Sequence, residues 1–106
     1  MASRGDRVLA WWPGEREWWY AGVVCEVGAE IEVQYDDCNR ASLTPEQVRP
    51  LAIGVGSRVY VRWRGDVIYY PGRISEVVGS AFHVAYDDGD TEWASLSAMR
   101  VHEKDL

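Results

Sequence analysis

The chain has 106 residues and a formal net charge of −6, with 47% hydrophobic and 26% charged residues, which is typical of one globular domain or two very small ones. No run reaches the roughly 18 apolar residues of a membrane span and no charged-then-apolar leader is seen, so we expect neither membrane insertion nor secretion. The acidic balance favours a cationic partner over a phosphate backbone, which usually binds a basic face.

The first half of the chain predicts five short strands with β-rich or alternating sequences. Turn signals separate them, among them Pro13-Gly14 and Asp36-Asp37. The strands are RVLAWW (7–12), WWYAGVVCEV (18–27), IEVQY (31–35), a fourth around Ser42 and a last one ending at 48–49.

The second half repeats this pattern at a spacing of 50 or 51 residues. Its strands are RVYVRW (58–63), IYYPGRISEVV (68–78), FHVAYD (82–87), TEWAS (91–95) and a last one ending at 99–101. A short turn of helical character precedes the last strand in each copy, at LTPEQ and LSAM. Because an internal repeat decides the whole architecture, we interpret the chain as a duplication of one unit.

Each unit has too few strands for a two-layer sandwich, so we predict an all-β fold of two five-stranded SH3-like barrels, residues 1–51 and 52–106. Gly22 and Gly72 would let the long second strand bend. The connecting residues 51–55 are apolar rather than a Gly/Ser tether. We therefore expect the barrels to be packed together, with Leu9, Trp11 and the connecting segment at the seam.

The order of motifs resembles the Tudor domain, a small barrel of the Royal superfamily. The motifs are V-x-A-x-W (8–12), Y-x-G (20–22 and 70–72) and V-x-Y-D-D-G-D (84–90), and the likeness covers 5–50 and 56–102. Two such barrels resemble the tandem Tudor modules of chromatin-associated proteins. The resemblance implies a nuclear module of a larger protein, whose partner is a methylated histone tail or another basic methylated peptide.

The resemblance also implies an aromatic cage for methyl-lysine or methyl-arginine in each copy. The residues that match the motif are Trp63, Tyr70, Tyr86 and Asp88 in the second copy, and Trp12, Tyr20, Tyr35 and Asp37 in the first. Methylated ammonium keeps its charge but loses hydration, so it favours a ring face, and each such contact contributes about 0.5–1 kcal/mol when exposed.

The two copies differ at the turn. The second reads Asp-Asp-Gly-Asp, whereas Cys38 in the first stands where the second has Gly89. Cysteine resists the positive φ that glycine accepts, so we expect the first turn to be built differently, with Asn39 taking the positive φ. The second cage is accordingly predicted to be the better formed.

Core packing and turn formation are the alternative roles for the predicted cage residues. Tyr35 and Tyr86 share strand parity with core valines, and the aspartates are common turn formers. The alternative functions are a protein-docking scaffold without methyl recognition, and nucleic-acid binding. The arginines that would serve nucleic-acid binding are Arg58, Arg62, Arg64 and Arg73.

Enzymatic activity has little support in the sequence. Cys25 and Cys38 lack a CxxC spacing, and His83 sits in mid-strand without an evident nucleophile. No phosphate-binding or dinucleotide-binding glycine pattern occurs. We therefore expect free thiols, no metal, no cofactor and no catalytic residues.

Overall fold

The computed structural model describes residues 2–106, apart from the side chain of Arg16. The fold is all-β, and the chain divides into two compact units, Met1–Ala52 and Ile53–Leu106. Within the described residues no helix is long and apolar enough to cross a membrane. The predicted packing of one barrel against the other stays a prediction.

The first unit is a five-stranded antiparallel SH3-like barrel in the strand order β5-β1-β2-β3-β4. A single 3₁₀ turn, Pro45–Gln47, separates the last two strands. The strands are β1 (Arg7–Trp12), β2 (Glu15–Val27), β3 (Ile31–Tyr35), β4 (Arg40–Leu43) and β5 (Val48–Pro50).

The second unit repeats this order as β10-β6-β7-β8-β9. Three 3₁₀ turns lie at Trp63–Gly65, Leu96–Ala98 and Glu103–Asp105. The strands are β6 (Arg58–Arg62), β7 (Tyr69–Val78), β8 (Ala81–Tyr86), β9 (Thr91–Ala94) and β10 (Met99–His102). The prediction of ten short strands in two SH3-like barrels is confirmed.

Strand alternation places the core as the sequence predicts. Val8 and Ala10 are buried in the first unit, and Val59 and Val61 are fully buried in the second. Leu9, expected to face out of its barrel beneath a cover, is also buried. The remaining members of the first core are Val24, Ile31, Val33, Tyr35 and Leu43.

The long second strand of each unit passes its neighbour too closely for a side chain. A Cβ on Gly72 would lie 2.8 Å from Val84 Cγ1 and 3.0 Å from the Ala85 carbonyl oxygen. The pairing register shifts just beyond this crossing, between Ile74 and Glu76. Glycine therefore serves close backbone approach here, while the bulge that follows bends the strand.

The Asp-Asp turns of the two units are built alike, so the expectation of a different first turn is wrong. Cys38 itself adopts a positive φ of 75°, beside 94° for Gly89. In the first turn the Cys38 N–H donates to the Tyr35 carbonyl at 3.0 Å and the Tyr35 N–H donates to the Asn39 carbonyl at 2.8 Å. The same backbone bonds recur in the second turn. These surrounding bonds fix the backbone and override the preference of the residue at the tip.

The first aspartate of each turn anchors the start of its barrel. The Arg7 guanidinium donates to both carboxylate oxygens of Asp36 at 2.7 Å. Arg58 donates to Asp87 at 2.7 Å in the second unit. Each pair joins the first strand to the turn after the third, so it holds that turn at one end of the barrel.

Candidate functional site: the aromatic clusters

The three predicted rings of the first unit lie together at one end of its barrel. Trp12 meets Tyr35 edge-on, with ring centroids 5.1 Å apart and planes at 77°. Tyr20 meets Tyr35 in the same manner at 6.5 Å and 87°. Trp12 and Tyr20 are half-buried, whereas Tyr35 is only 2% exposed. Tyr35 is thus the floor of the cluster, and the other two rings are its accessible part.

The hydroxyl of Tyr35 donates a hydrogen bond to the Trp11 carbonyl. Burial, assisted by the nearby negative charge of Asp37, raises the pKa of Tyr35 well above its usual value. The phenol therefore stays neutral at physiological pH and presents ring rather than charge. Tyr20 in turn donates to the Glu15 carboxylate at 3.2 Å.

The second unit repeats the tryptophan–tyrosine pair. Trp63 meets Tyr86 edge-on at 5.2 Å and 78°. Trp63 is half-buried and Tyr86 is 5% exposed. Tyr70, on the neighbouring strand, is 39% exposed, and among residues 2–106 its ring packs on neither of the other two. The second cluster is therefore more open on its Tyr70 side.

The second cluster carries a carboxylate at its floor. Tyr86 donates to Glu92 Oε2 at 2.6 Å. Burial first, and then this hydrogen bond and the charges of Glu92 and Asp88, raise the pKa of Tyr86 well above its usual value. The residue that stands 51 positions earlier than Glu92 is Ala41, so the first unit lacks this acid.

The second aspartate of each turn has a turn-forming role. Asp37 Oδ1 accepts the Asn39 N–H at 3.1 Å, and Asp88 Oδ1 accepts the Asp90 N–H at 3.0 Å. Both carboxylates are exposed. Their charges contribute to the raised pKa of the floor tyrosines.

Two contacts of the second cluster escaped the sequence reasoning. The Arg64 guanidinium carbon lies 4.9 Å from the centroid of the Trp63 ring. The backbone N–H of Arg64 donates to the two carboxylate oxygens of Glu92 at 3.3 and 3.2 Å. The sequence did mark these two positions as different between the copies, because Arg64 and Glu92 stand where the first copy has Pro13 and Ala41.

Other arginines of the second unit bind the protein itself. Arg58 is paired with Asp87, Arg62 donates to the Ser97 carbonyl at 3.1 Å and Arg73 donates to the Gly56 carbonyl at 3.1 Å. Arg100 lies 3.9 Å over the Tyr69 ring. Groups of three or more His, Cys, Asp or Glu that could hold a metal ion are not found within residues 2–106.

The comparison with solved structures finds tandem domains of similar fold. No protein-family model matches the sequence, and no curated protein matches it. The tandem tudor domains of Crb2 superpose with a TM-score of 0.65 at 16% identity, covering 95% of this chain and 81% of theirs. The AGD34 segment of Arabidopsis thaliana AGDP1 gives a TM-score of 0.48 at 17% identity, covering 96% of this chain and 83% of that one.

A third solved structure, the tandem Agenet domain 3-4 of ADCP1, gives 0.45 at 17% identity over 96% of this chain and 81% of that one. At such identities the likeness defines the fold. The fold is a pair of SH3-like barrels, similar to that of the tandem tudor domains of Crb2.

Proposed function

We propose that this chain is a reader of methylated basic peptides that holds a methylammonium or methylguanidinium group at an aromatic cluster. One observation carries the proposal. The same half-buried tryptophan stands edge-on to the same buried tyrosine in both units, at 5.1 and 5.2 Å. Core packing alone has no need to leave a large ring half-accessible at the same place twice, whereas a cation site needs that ring face.

The division of roles within each cluster follows from burial. Trp12 and Tyr20 in the first unit, and Trp63 and Tyr70 in the second, are the walls that meet the ligand. Tyr35 and Tyr86 are floors that hold the tryptophans in place through their edge contacts. Two exposed ring contacts contribute about 1–2 kcal/mol together, and partial desolvation adds to this.

Carboxylates complete the sites and favour the lower methylation states. Asp37 and Asp88 lie near the floors, and Glu15 and Glu92 accept bonds from cluster tyrosines. Mono- and dimethyllysine keep an N–H that can donate to such a group, and trimethyllysine has none. The ligand is therefore a mono- or dimethylated side chain in a basic tail, such as a histone tail, and the protein acts in the nucleus without catalysing a reaction.

The test is a peptide array carrying unmodified, methyl-lysine and methyl-arginine side chains in basic sequences. Wild-type protein should bind methylated peptides, with dissociation constants of about 1 to a few hundred micromolar. A Trp12→Ala/Trp63→Ala double variant should lose this binding by at least about tenfold, because it removes the principal ring of each site.

Trp93→Ala is the matched control. Trp93 is 50% exposed, and its ring centroid lies 4.9 Å from that of His83. The substitution therefore removes an accessible indole outside the clusters. Methyl-dependent binding should survive in this variant. Equal binding of modified and unmodified peptides would instead favour a docking scaffold, and the proposal would be rejected.

A further inference from the structure

The second aromatic cluster has a cation of the chain itself beside one of its rings. In the second unit the Arg64 guanidinium lies over the Trp63 ring at 4.9 Å. That face of Trp63 is one of the surfaces that a methylated ligand needs. In the first unit the residue after Trp12 is Pro13, which carries no charge.

The position of Arg64 is set by backbone contacts. Arg64 adopts a positive φ of 50° in the 3₁₀ turn Trp63–Gly65, and the Asp66 N–H closes this turn by donating to the Trp63 carbonyl at 2.9 Å. Glu92 accepts the Arg64 N–H and also the Tyr86 hydroxyl. One carboxylate therefore ties the turn to the floor of the cluster, and the arginine side chain starts beside the ring.

We infer that Arg64 is an internal competitor for the Trp63 ring and lowers the affinity of the second unit for the methylated side chain. A ligand at the second unit must displace the guanidinium from the ring and also meets its positive charge. The inference rests on the proposed function. It makes Arg64, the residue after the tryptophan, a determinant of the affinity of the second unit, whereas the first unit has Pro13 at this position.

The size of the effect follows from the strength of an exposed cation–π contact. Losing a contact of this kind costs about 0.5–1 kcal/mol, equivalent to about a two- to fivefold change in affinity. Arg64→Ala should tighten ligand binding at the second unit by that factor.

The experiment follows the indole N–H signals of Trp12 and Trp63 by NMR, so each unit is read separately in the full chain. The probe is a blocked pentapeptide with one dimethyllysine between two arginines. In Arg64→Ala the Trp63 midpoint should fall about two- to fivefold, while the Trp12 midpoint stays constant.

Arg73→Ala is the matched charge control. Its guanidinium donates to the Gly56 carbonyl, so the variant removes one positive charge of the same unit without clearing the Trp63 ring. An equal gain in Arg64→Ala and Arg73→Ala would assign the effect to net charge and overturn the inference. Unchanged Trp63 affinity in Arg64→Ala would overturn it as well, with methyl-dependent binding left in place. If the peptide shifted neither indole in any variant, the proposed function would itself be lost, and the competitor role with it.

Discussion

Tyr35 and Tyr86 show how much of a side chain's direction and burial can be predicted from its position in the sequence. Each lies two residues beyond a core valine on one strand, so its inward direction is predictable from alternation. The depth of its burial is not predictable, because it depends on the tryptophan that packs on it from another part of the chain. The structure makes both tyrosines floors, and the accessible rings are their neighbours.

The raised pKa of these phenols predicts a loss of stability in alkaline solution. Below the ordinary tyrosine pKa of about 10, the folded and unfolded states are both neutral at these sites. Above it the unfolded chain loses a proton that the folded chain retains, so the free energy of unfolding falls as pH rises. The limiting slope is about 1.4 kcal/mol per pH unit for each tyrosine.

Urea unfolding between about pH 9 and pH 11 measures this slope. Tyr86→Phe should make it shallower, because phenylalanine has no proton to lose. A slope that Tyr86→Phe does not alter would contradict the role assigned to burial and to Glu92.

The contact between Arg64 and Glu92 could not be predicted from the sequence for a related reason. Their contact joins residues 28 positions apart through a turn whose path depends on a positive φ at a non-glycine residue. Charge and strand pattern do not encode such a path. The difference between the repeats marks the positions, but only the folded turn shows that they meet.

At the scale of single elements, the glycine of the second strand is the sharpest constraint. Gly72→Ala places a methyl group 2.8 Å from Val84 Cγ1 and 3.0 Å from the Ala85 carbonyl oxygen. We expect a destabilisation of about 1–3 kcal/mol, the usual cost of overpacking. Thermal or urea unfolding of the variant measures it.

Gly54→Ala is the control for this substitution. A Cβ on Gly54 would meet no atom within 4 Å, and its φ is not in the positive range. Its stability should stay within about 0.5 kcal/mol of wild type. A Gly72→Ala variant as stable as Gly54→Ala would show that the second strand can separate from its neighbour without cost.

The strands themselves were predictable because the hydrophobic alternation and the turn residues agree in both copies. The conformation of the first turn was not predictable. Cysteine disfavours a positive φ, yet the flanking strands impose one on Cys38. Hydrogen bonds from Tyr35 to Asn39 and from Asp36 to the Ala21 carbonyl close the turn whatever residue stands at its tip. The conformation of one copy therefore predicts that of the other copy better than local residue preferences do.

At the scale of the whole molecule, the net charge of −6 favours a basic peptide over a nucleic acid as the partner. A site built from rings should lose less than about tenfold in peptide affinity for each tenfold rise in salt, since its main contacts are short-ranged. A protein that neutralised six phosphates would lose about five powers of ten over the same range. Fluorescence titration with the dimethyllysine peptide across salt concentrations makes this measurement.

Nucleic acid supplies the comparison for that titration. Single-stranded RNA should bind weakly at every salt concentration, because Arg58, Arg62 and Arg73 bind groups of the protein itself. Tight RNA binding with a steep salt dependence would favour the nucleic-acid alternative and remove the basis for peptide reading.

The thiol at the tip of the first turn offers a direct way to watch one barrel at a time. Cys38 is exposed, whereas Cys25 is half-buried and directed to the Val23 carbonyl. A maleimide dye should therefore attach selectively at the turn that begins with Tyr35, the floor of the first cluster. Changes in the dye's emission on adding peptide would report occupancy of that barrel alone, without interference from the six indoles.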